Sequence, residues 1–324
     1  MRAFVCHAIT PDLSGTGMAD VAVPAPGPGE ALVAVKAAAA NFPDVLMCQG
    51  LYQFKPDPPF VPGIDLAGVV VAVGPGAGAV KIGDEVVGGA RLGGFAQFAC
   101  VPAAALRAKP ARLDWAAAAA YPAAYLTARV ALVRRAALQP GETLLVHGAA
   151  GGVGLAAVDY ARHLGARIIA TASTPAKRAA ALAAGAHHAI DSAPGFREAV
   201  KALTDGRGAD VVFDPVGGDV FDESVRCIAF GGRLLVVGFA SGRIPQVAVN
   251  MPLIKGFSVV GVRAGEHGRR FPDLGAADLD AIHDLAESGA IRPHVGARLP
   301  LEKTGEALAL LADRAIIGKA VVLP

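Results

Sequence analysis

Cysteine is scarce in this sequence and never clustered. Its four copies, Cys6, Cys48, Cys100 and Cys227, stand far apart with no CxxC pair. That spacing excludes a disulfide framework and a structural zinc lobe, and the thiols read as buried and inert. A surplus of one charge is lacking too: 30 Lys and Arg face 28 Asp and Glu, for a formal net charge of +2, with no basic run. Nucleic acid is therefore not an expected partner. Long hydrophobic runs are also missing. Segment 115–128 contains Pro122 and falls short of the roughly 20 apolar residues of a helical span, while 143–158 is broken by four glycines. No membrane span is expected. The N-terminus starts a strand-like alternation without the apolar core of a signal peptide, so the expected location is cytoplasmic. What is present is 53% hydrophobic and 18% charged residue over 324 positions, enough for two domains with separate cores.

The front of the chain reads as β-rich, with strand-like runs at 2–7, 31–38, 66–73, 85–88 and 95–101 between Pro/Gly clusters. A short helix is predicted over 42–48, capped by Asn41 with Pro43 in its first turn. From Trp115 an Ala-rich helical stretch runs to about Leu138, before Pro140 and Gly141. Strands at 143–147, 167–171, 188–190, 211–214, 233–238 and 258–262 then alternate with helices at 153–164, 175–184, 196–203 and 221–230. Such alternation implies right-handed crossovers and a doubly wound parallel sheet, an α/β fold. The tail adds helices at 276–287 and 302–311 and a strand at 319–323, and is expected to complete the first domain. The expected domains are thus 1–122 with 264–324, and 123–263.

The most specific signal is TLLVHGAAGGVG over 143–154. A buried strand enters a glycine turn and then an amphipathic helix, the context of a dinucleotide site. Ala150, Gly151, Gly152, Val153 and Gly154 form the turn and helix start. Gly151 lets backbone approach a pyrophosphate, Gly154 lets helix lie close to strand, and the free amides at the helix start face the phosphate charge. Ala149 stands where GxGxxG has its first glycine. An NAD enzyme places an acid about 20 residues on to bind the ribose hydroxyls. Here that strand ends ATASTPAKR (170–178) with no acid. Ser173 can bond a 2′-phosphate, and Lys177 or Arg178 can neutralise it, which favours NADPH; a solvated helix start explains the same two cations.

These residues, with NFPDVLMCQGLY (41–52), PGIDLAG (62–68), Gly74, Gly83-Asp84, YLT (125–127), Gly231-Gly232 and GKAVVL (318–323), resemble the zeta-crystallin-like quinone oxidoreductases, a zinc-free branch of the medium-chain dehydrogenase/reductase superfamily. The resemblance covers essentially the whole chain. It implies a GroES-like β-rich catalytic domain, a Rossmann domain and a crevice between them for the nicotinamide. It also implies no metal, because the zinc-dependent relatives carry a Cys within the segment that reads Asn41 to Asp44 and a His where this chain has Ile64, and no Cys occurs near Ala123 to Tyr125. By the same resemblance Asn41 and Tyr52 stand at the substrate side as catalytic candidates, and Thr127 holds the carboxamide. Gly238 and Phe239 lie beside the nicotinamide, Lys177 meets the 2′-phosphate, and Arg314 matches a C-terminal cofactor arginine. Where some members have a Tyr near the phosphate, this chain has Ser192.

Tyr52 stands in the Gln-Gly-x-Tyr motif that in related enoyl-thioester reductases carries a proton donor; an aromatic wall residue is the other reading. Asp44 and Asp65 match family positions, as caps or as chemistry. His7, His147, His187 and His188 read as structural. The leading expectation is hydride or electron transfer from NADPH to a quinone without metal. Reduction of 2-alkenals or enoyl thioesters is the alternative, and a non-catalytic, crystallin-like NADPH-binding protein the alternative of another class. A homodimer paired along the edge strand near 258–262 is expected by analogy.

Overall fold

The structure is a computed structural model that describes residues 1–324. In chain order it runs β1 (Arg2–Cys6), β2 (Thr16–Asp20), β3 (Glu30–Ala39), α1 (Phe42–Cys48), β4 (Asp65–Val73), β5 (Glu85–Gly89), β6 (Phe98–Pro102), β7 (Arg107–Ala108), α2 (Trp115–Ala120) and α3 (Pro122–Arg129). Then follow β8 (Thr143–Val146), α4 (Gly152–His163), β9 (Arg167–Ala172), α5 (Pro175–Ala183), β10 (His188–Asp191), α6 (Phe196–Leu203), β11 (Ala209–Asp214), α7 (Gly218–Ser224) and β12 (Ile228–Val236). The chain ends with α8 (Asn250–Lys255), β13 (Ser258–Gly261), α9 (Ala264–Arg270), α10 (Pro272–Ser288), β14 (Val295–Pro300), α11 (Thr304–Ala312) and β15 (Lys319–Leu323). Two compact units result: Met1–Ala123 with Pro293–Pro324, and Ala124–Arg292.

The first unit is built on a mixed sheet in the order β14-β15-β3-β4-β5-β7, with β6 pairing β3. β3 carries the longest ladders, antiparallel to β4 and β6, and is buried along most of its length because sheet or helix covers it throughout. Val33, Leu66, Phe95, Leu308 and Val322 meet in its core. At α1 the local chemistry is sufficient: Asn41 is extended, Asp44 accepts the Asn41 N–H at 2.8 Å, and Pro43 needs no acceptor in the first turn. β14 lies outside every run read from the sequence. It pairs parallel to β15, with alternating half-buried and exposed positions too weakly apolar to announce a strand.

The second unit is an all-parallel sheet in the order β10-β9-β8-β11-β12-β13. Leu144, Leu145, Val146, Val211, Val212 and Phe213 are fully buried, as expected for central strands covered on both faces. The strand order reverses between β8 and β11, so the loop leaving β8 sits at the switch point where open α/β sheets bind ligands.

Three sequence expectations need correction. Residues 264–292 belong to the second unit, not the first. There the Asp278 carboxylate of α10, fully buried, takes Arg129 Nε at 2.7 Å and Arg134 Nη2 at 2.9 Å, which ties the helix to the end of α3. The helix expected over 221–230 stops at Ser224, and Phe230 lies in β12. The Ser224 hydroxyl bonds back to Val220 O, and tight turns at Arg226 and Cys227 close the helix before Ile228 joins the ladder. The apolar stretch at 115–128, read as too short for a span, is part of a 21-residue helical run from Trp115 to Arg135, through a π-helical turn at Val130–Arg135. It is long and apolar enough to cross a membrane by length and composition, but 67% of its most apolar window is buried inside the protein, as in a core helix.

Candidate active site and dinucleotide site

In the second unit, β8 delivers His147 and then the turn Gly148 to Gly151. Gly148 has φ +55°, and its carbonyl accepts Gly151 N–H at 3.0 Å. Two glycines then do different jobs. A Cβ on Gly154 would come within 2.3 Å of Gly148 O and 2.8 Å of Ala149 Cα, so α4 can lie this close to the turn only with glycine there. A Cβ on Gly151 would meet nothing nearer than Gly148 O at 3.4 Å, so the space above it is open. Gly152, Val153 and Gly154 form the first turn of α4, whose N–H groups have no intrahelical acceptor, and no acid lies in that turn. Ala150 is buried within the turn. An open cradle of unpaired amides at the positive end of a 12-residue helix fits a pyrophosphate.

His147 secures this turn from below. Its Nδ1 lies 2.9 Å from Thr171 Oγ1 and its Nε2 lies 2.8 Å from Ser224 Oγ. Ser224 already donates its hydroxyl proton to Val220 O, so it accepts from His147 Nε2–H, and Thr171 donates to Nδ1. Burial pushes the imidazole pKa down to about 3, so the ring is neutral and links the ends of β8, β9 and α7. The sequence marked His147 only as structural. Its two hydroxyl partners are 24 and 77 residues away, and no local signal reveals them.

Past β9, Ser173 is exposed, and Thr174 caps α5 by accepting Lys177 N–H. Lys177 and Arg178 lie in the first turn of α5. Arg178 donates to Ala172 O at 3.1 Å and to Asp191 Oδ2 at 2.8 Å. Sequence reasoning missed Asp191, since it ends β10 rather than β9; the parallel register sets it opposite Ala172. Arg178 is therefore already bound to a carboxylate. Gly238 follows β12 and donates to Asp214 O at 3.4 Å, and Phe239 beside it is partly exposed. The glycine turn, Ser173 to Arg178 and Gly238 to Phe239 thus share the carboxyl ends of strands in one sheet. Thr127 lies half-buried in α3 of the same unit. A cavity of about 340 Å³ between α6 and α7, lined by Arg197, Asp219, Asp222, Glu223 and Arg226, contains none of these residues.

In the first unit, Asn41 joins a buried polar cluster. Lys319 Nζ donates to Asn41 Oδ1 at 2.5 Å and lies 3.8 Å from Asp65 Oδ2. Asn41 Nδ2 donates to Asp65 Oδ2 at 3.0 Å and to Ala39 O at 3.1 Å. Gly63 N–H donates to Asp44 Oδ1 at 3.2 Å. Asp44, Asp65 and Lys319 are buried, while Asn41 is half-exposed. Burial raises the Asp44 carboxyl to about 7, against the pull of the Asn41 N–H and the Lys319 ammonium. Burial likewise raises Asp65 and lowers Lys319, each opposed by the charge of the other. The sequence reading quoted Lys319 only as part of a closing strand; an isolated charge in the buried run KAVVL was the signal available. Tyr52 follows four residues after α1 and packs with Phe54 and Ile64 on Met47, Cys48 and Phe60. Arg314 lies in the same unit, in a left-handed turn after α11 with φ +54°. No group of three His, Cys, Asp or Glu side chains is arranged to hold a metal ion, so the donor set does not fit a zinc site.

Residues 152–278 match the zinc-binding dehydrogenase domain family and residues 27–111 the alcohol dehydrogenase GroES-like domain family. A quinone oxidoreductase-like protein 2 homolog of Nematostella vectensis is 40% identical over 300 residues, covering 91% of this chain and 82% of that protein. The chain belongs to the medium-chain dehydrogenase/reductase superfamily, among the quinone oxidoreductases and their like. Two solved members of the superfamily cover all of both chains: a mycobacterial protein complexed with NADPH, at 32% identity and TM-score 0.93, and Escherichia coli quinone oxidoreductase complexed with NADPH, at 29% and 0.91. As a member of this superfamily the chain is an oxidoreductase with a GroES-like and a Rossmann-type domain.

Proposed function

We propose that this chain is an NADPH-dependent reductase that delivers hydride to a quinone without a metal ion. The observation that carries the reading is the open cradle over Gly151 at the switch point of the parallel sheet, beside a strand end, Ala172 to Ser173, that bears no acid. The amides of Gly152, Val153 and Gly154 would hold the pyrophosphate, with Ala150 and Gly151 leaving room for it. Ser173 and Lys177, with Arg178 partly drawn to Asp191, would hold the 2′-phosphate. Thr127, Gly238 and Phe239 would orient the nicotinamide, and Arg314 would add a cationic contact. When bound, the reduced cofactor supplies the hydride.

The chain's own part is positioning and proton handling. A quinone that gains hydride becomes an aromatic hydroquinone once protonated, so it needs little polarisation. The Tyr52 hydroxyl is suited to donate that proton or to bond the developing oxyanion. The same hydroxyl would serve a 2-alkenal or enoyl thioester, which keeps reduction of conjugated carbonyls as the second reading. The reading also takes the protein as a cytoplasmic homodimer.

The test is steady-state turnover of purified protein with NADPH and NADH in parallel against a benzoquinone, a naphthoquinone, a 2-alkenal and crotonyl-CoA. Fastest oxidation of NADPH by a quinone supports the reading. Preference for crotonyl-CoA or the alkenal moves the assignment to the second reading, and no oxidation with any acceptor ends both.

A further inference from the structure

The Asn41 amide has no freedom in which atom faces which neighbour. An ammonium can only donate, so the atom 2.5 Å from Lys319 Nζ is the amide oxygen. The amide nitrogen then faces Asp65 Oδ2 and Ala39 O, and both of its N–H bonds are engaged there. The half-exposed side chain therefore keeps no N–H for a ligand; only Oδ1, which the capping box also turns towards the Asp44 N–H, can face one. Resting on the functional reading above, we propose that Lys319 is a positioning residue: with Asp65 it locks Asn41 as a hydrogen-bond acceptor only. Asn41 then cannot donate to a quinone oxygen, and between the two catalytic candidates the donor role falls to Tyr52 alone.

The arrangement has the chemistry such a lock needs. Lys319 is anchored in the antiparallel register of β15 against β3, where Val321 pairs Ala39 and Val322 pairs Ala38, so its stem leaves a rigid strand rather than a loop. Its ammonium is almost fully buried beside Asp44 and Asp65, so it has no solvent to turn towards. Asp65 is held in turn by a backbone N–H of Ala123. Without the ammonium, Asn41 could rotate its amide and present an N–H instead.

The experiment compares Lys319→Met with the exchange of partners Asn41→Asp plus Asp65→Asn. In the exchange, the carboxylate introduced at position 41 would still accept from Lys319 and from the new amide at position 65, so an acceptor-only position survives with the same net charge. Turnover of NADPH with a naphthoquinone, NADPH fluorescence for cofactor affinity, and thermal midpoints are read together. For Lys319→Met the expected result is a fall in kcat of roughly 10- to 100-fold, with quinone KM and NADPH affinity within about threefold of the parent. The exchange keeps Lys319 and an acceptor at position 41, so its kcat should fall less than that of Lys319→Met and lie clearly above it. Unchanged kcat in folded Lys319→Met overturns the inference, as does an inactive exchange variant that folds and binds NADPH, because a donor at position 41 is then required. If Lys319→Met fails to fold, the exchange variant decides alone. Failure of the functional reading is seen earlier, in a parent protein that passes electrons from NADPH to none of the acceptors, and the inference falls with it.

Discussion

Asp44 and His147 are both buried beside site loops, and their protons change stability in opposite directions. The Asp44 carboxyl, raised by burial to about 7, keeps its proton in the folded state above the ordinary carboxylate range. Its contribution is full at acid pH and is lost as pH rises from about 4 to about 7, at up to about 1 kcal/mol per pH unit. The groups facing it are Lys319, Asp65, the N–H groups of Asn41 and Gly63, and Cys48 one turn along α1. His147, lowered by burial to about 3, gives stability that is present above about 6.5 and lost as pH falls towards 3. Asp44→Asn is therefore expected to flatten the decline between pH 4 and 7 in urea-unfolding free energies, while His147→Gln flattens the acid limb. An unaltered pH slope in either variant contradicts the corresponding assignment. Replacing His147 by Leu leaves the Thr171 and Ser224 hydroxyls without their partner and should cost about 1–3 kcal/mol at neutral pH by the same measurement. Tyr52→Phe should slow quinone turnover without altering NADPH affinity, and unchanged turnover would remove its donor role.

At the scale of elements, the turn between β8 and α4 separates two kinds of glycine. Gly154→Ala pushes a methyl into Gly148 O and the Ala149 backbone, so α4 must shift, and a loss of about 1–3 kcal/mol is expected in thermal or urea unfolding. Gly151→Ala meets only one atom, at 3.4 Å, so its unfolding curve should stay near the parent's while NADPH affinity drops at least roughly tenfold, since the methyl fills the space a pyrophosphate would enter. Equal effects of the two changes on stability would show that the turn is not built this way. α10 offers a second element-scale case. Its Asp278 carboxylate is fully buried against Arg129 and Arg134, and Arg129 also donates to the Tyr160 hydroxyl at 2.7 Å. Asp278→Ala leaves two guanidinium groups without their counter-charge and should destabilise the protein by about 3 kcal/mol or more, read as a lowered urea midpoint.

For the whole molecule, the proposed assembly has a surface to be tested on. β13 is an edge strand with mostly exposed residues, and nearby Phe230, Val249 and Leu253 are 87%, 88% and 81% exposed. Large apolar side chains this exposed mark an interaction surface, and an unpaired parallel edge can be extended by a second copy. Sedimentation of the parent as a dimer, and of Val249→Asp with Leu253→Asp as a monomer, is the expected outcome. A monomeric parent at micromolar concentration would remove the homodimer from the functional reading.

Local chemistry made much of this protein legible before any coordinates. The bounds of α1 follow from Asn41, Pro43 and Asp44, those of α6 from its own apolar spacing, and the dinucleotide turn from a strand, a glycine run and a helix in sequence. Where a partner lies far along the chain, local pattern is silent. Lys319 meets Asn41 across 278 positions, Asp278 meets Arg129 across 149, and Asp191 reaches Arg178 only because β10 pairs with β9. The early end of α7 and the placement of 264–292 likewise depend on ladders and buried ion pairs. Residue types and spacing therefore determined the α/β class and the nucleotide turn, because both are short-range matters of dihedral preference and steric room. Tertiary structure alone decided which charges share a buried site, and with them which neighbours hold the two ends of the Asn41 amide, because those partners are brought together only by the sheet.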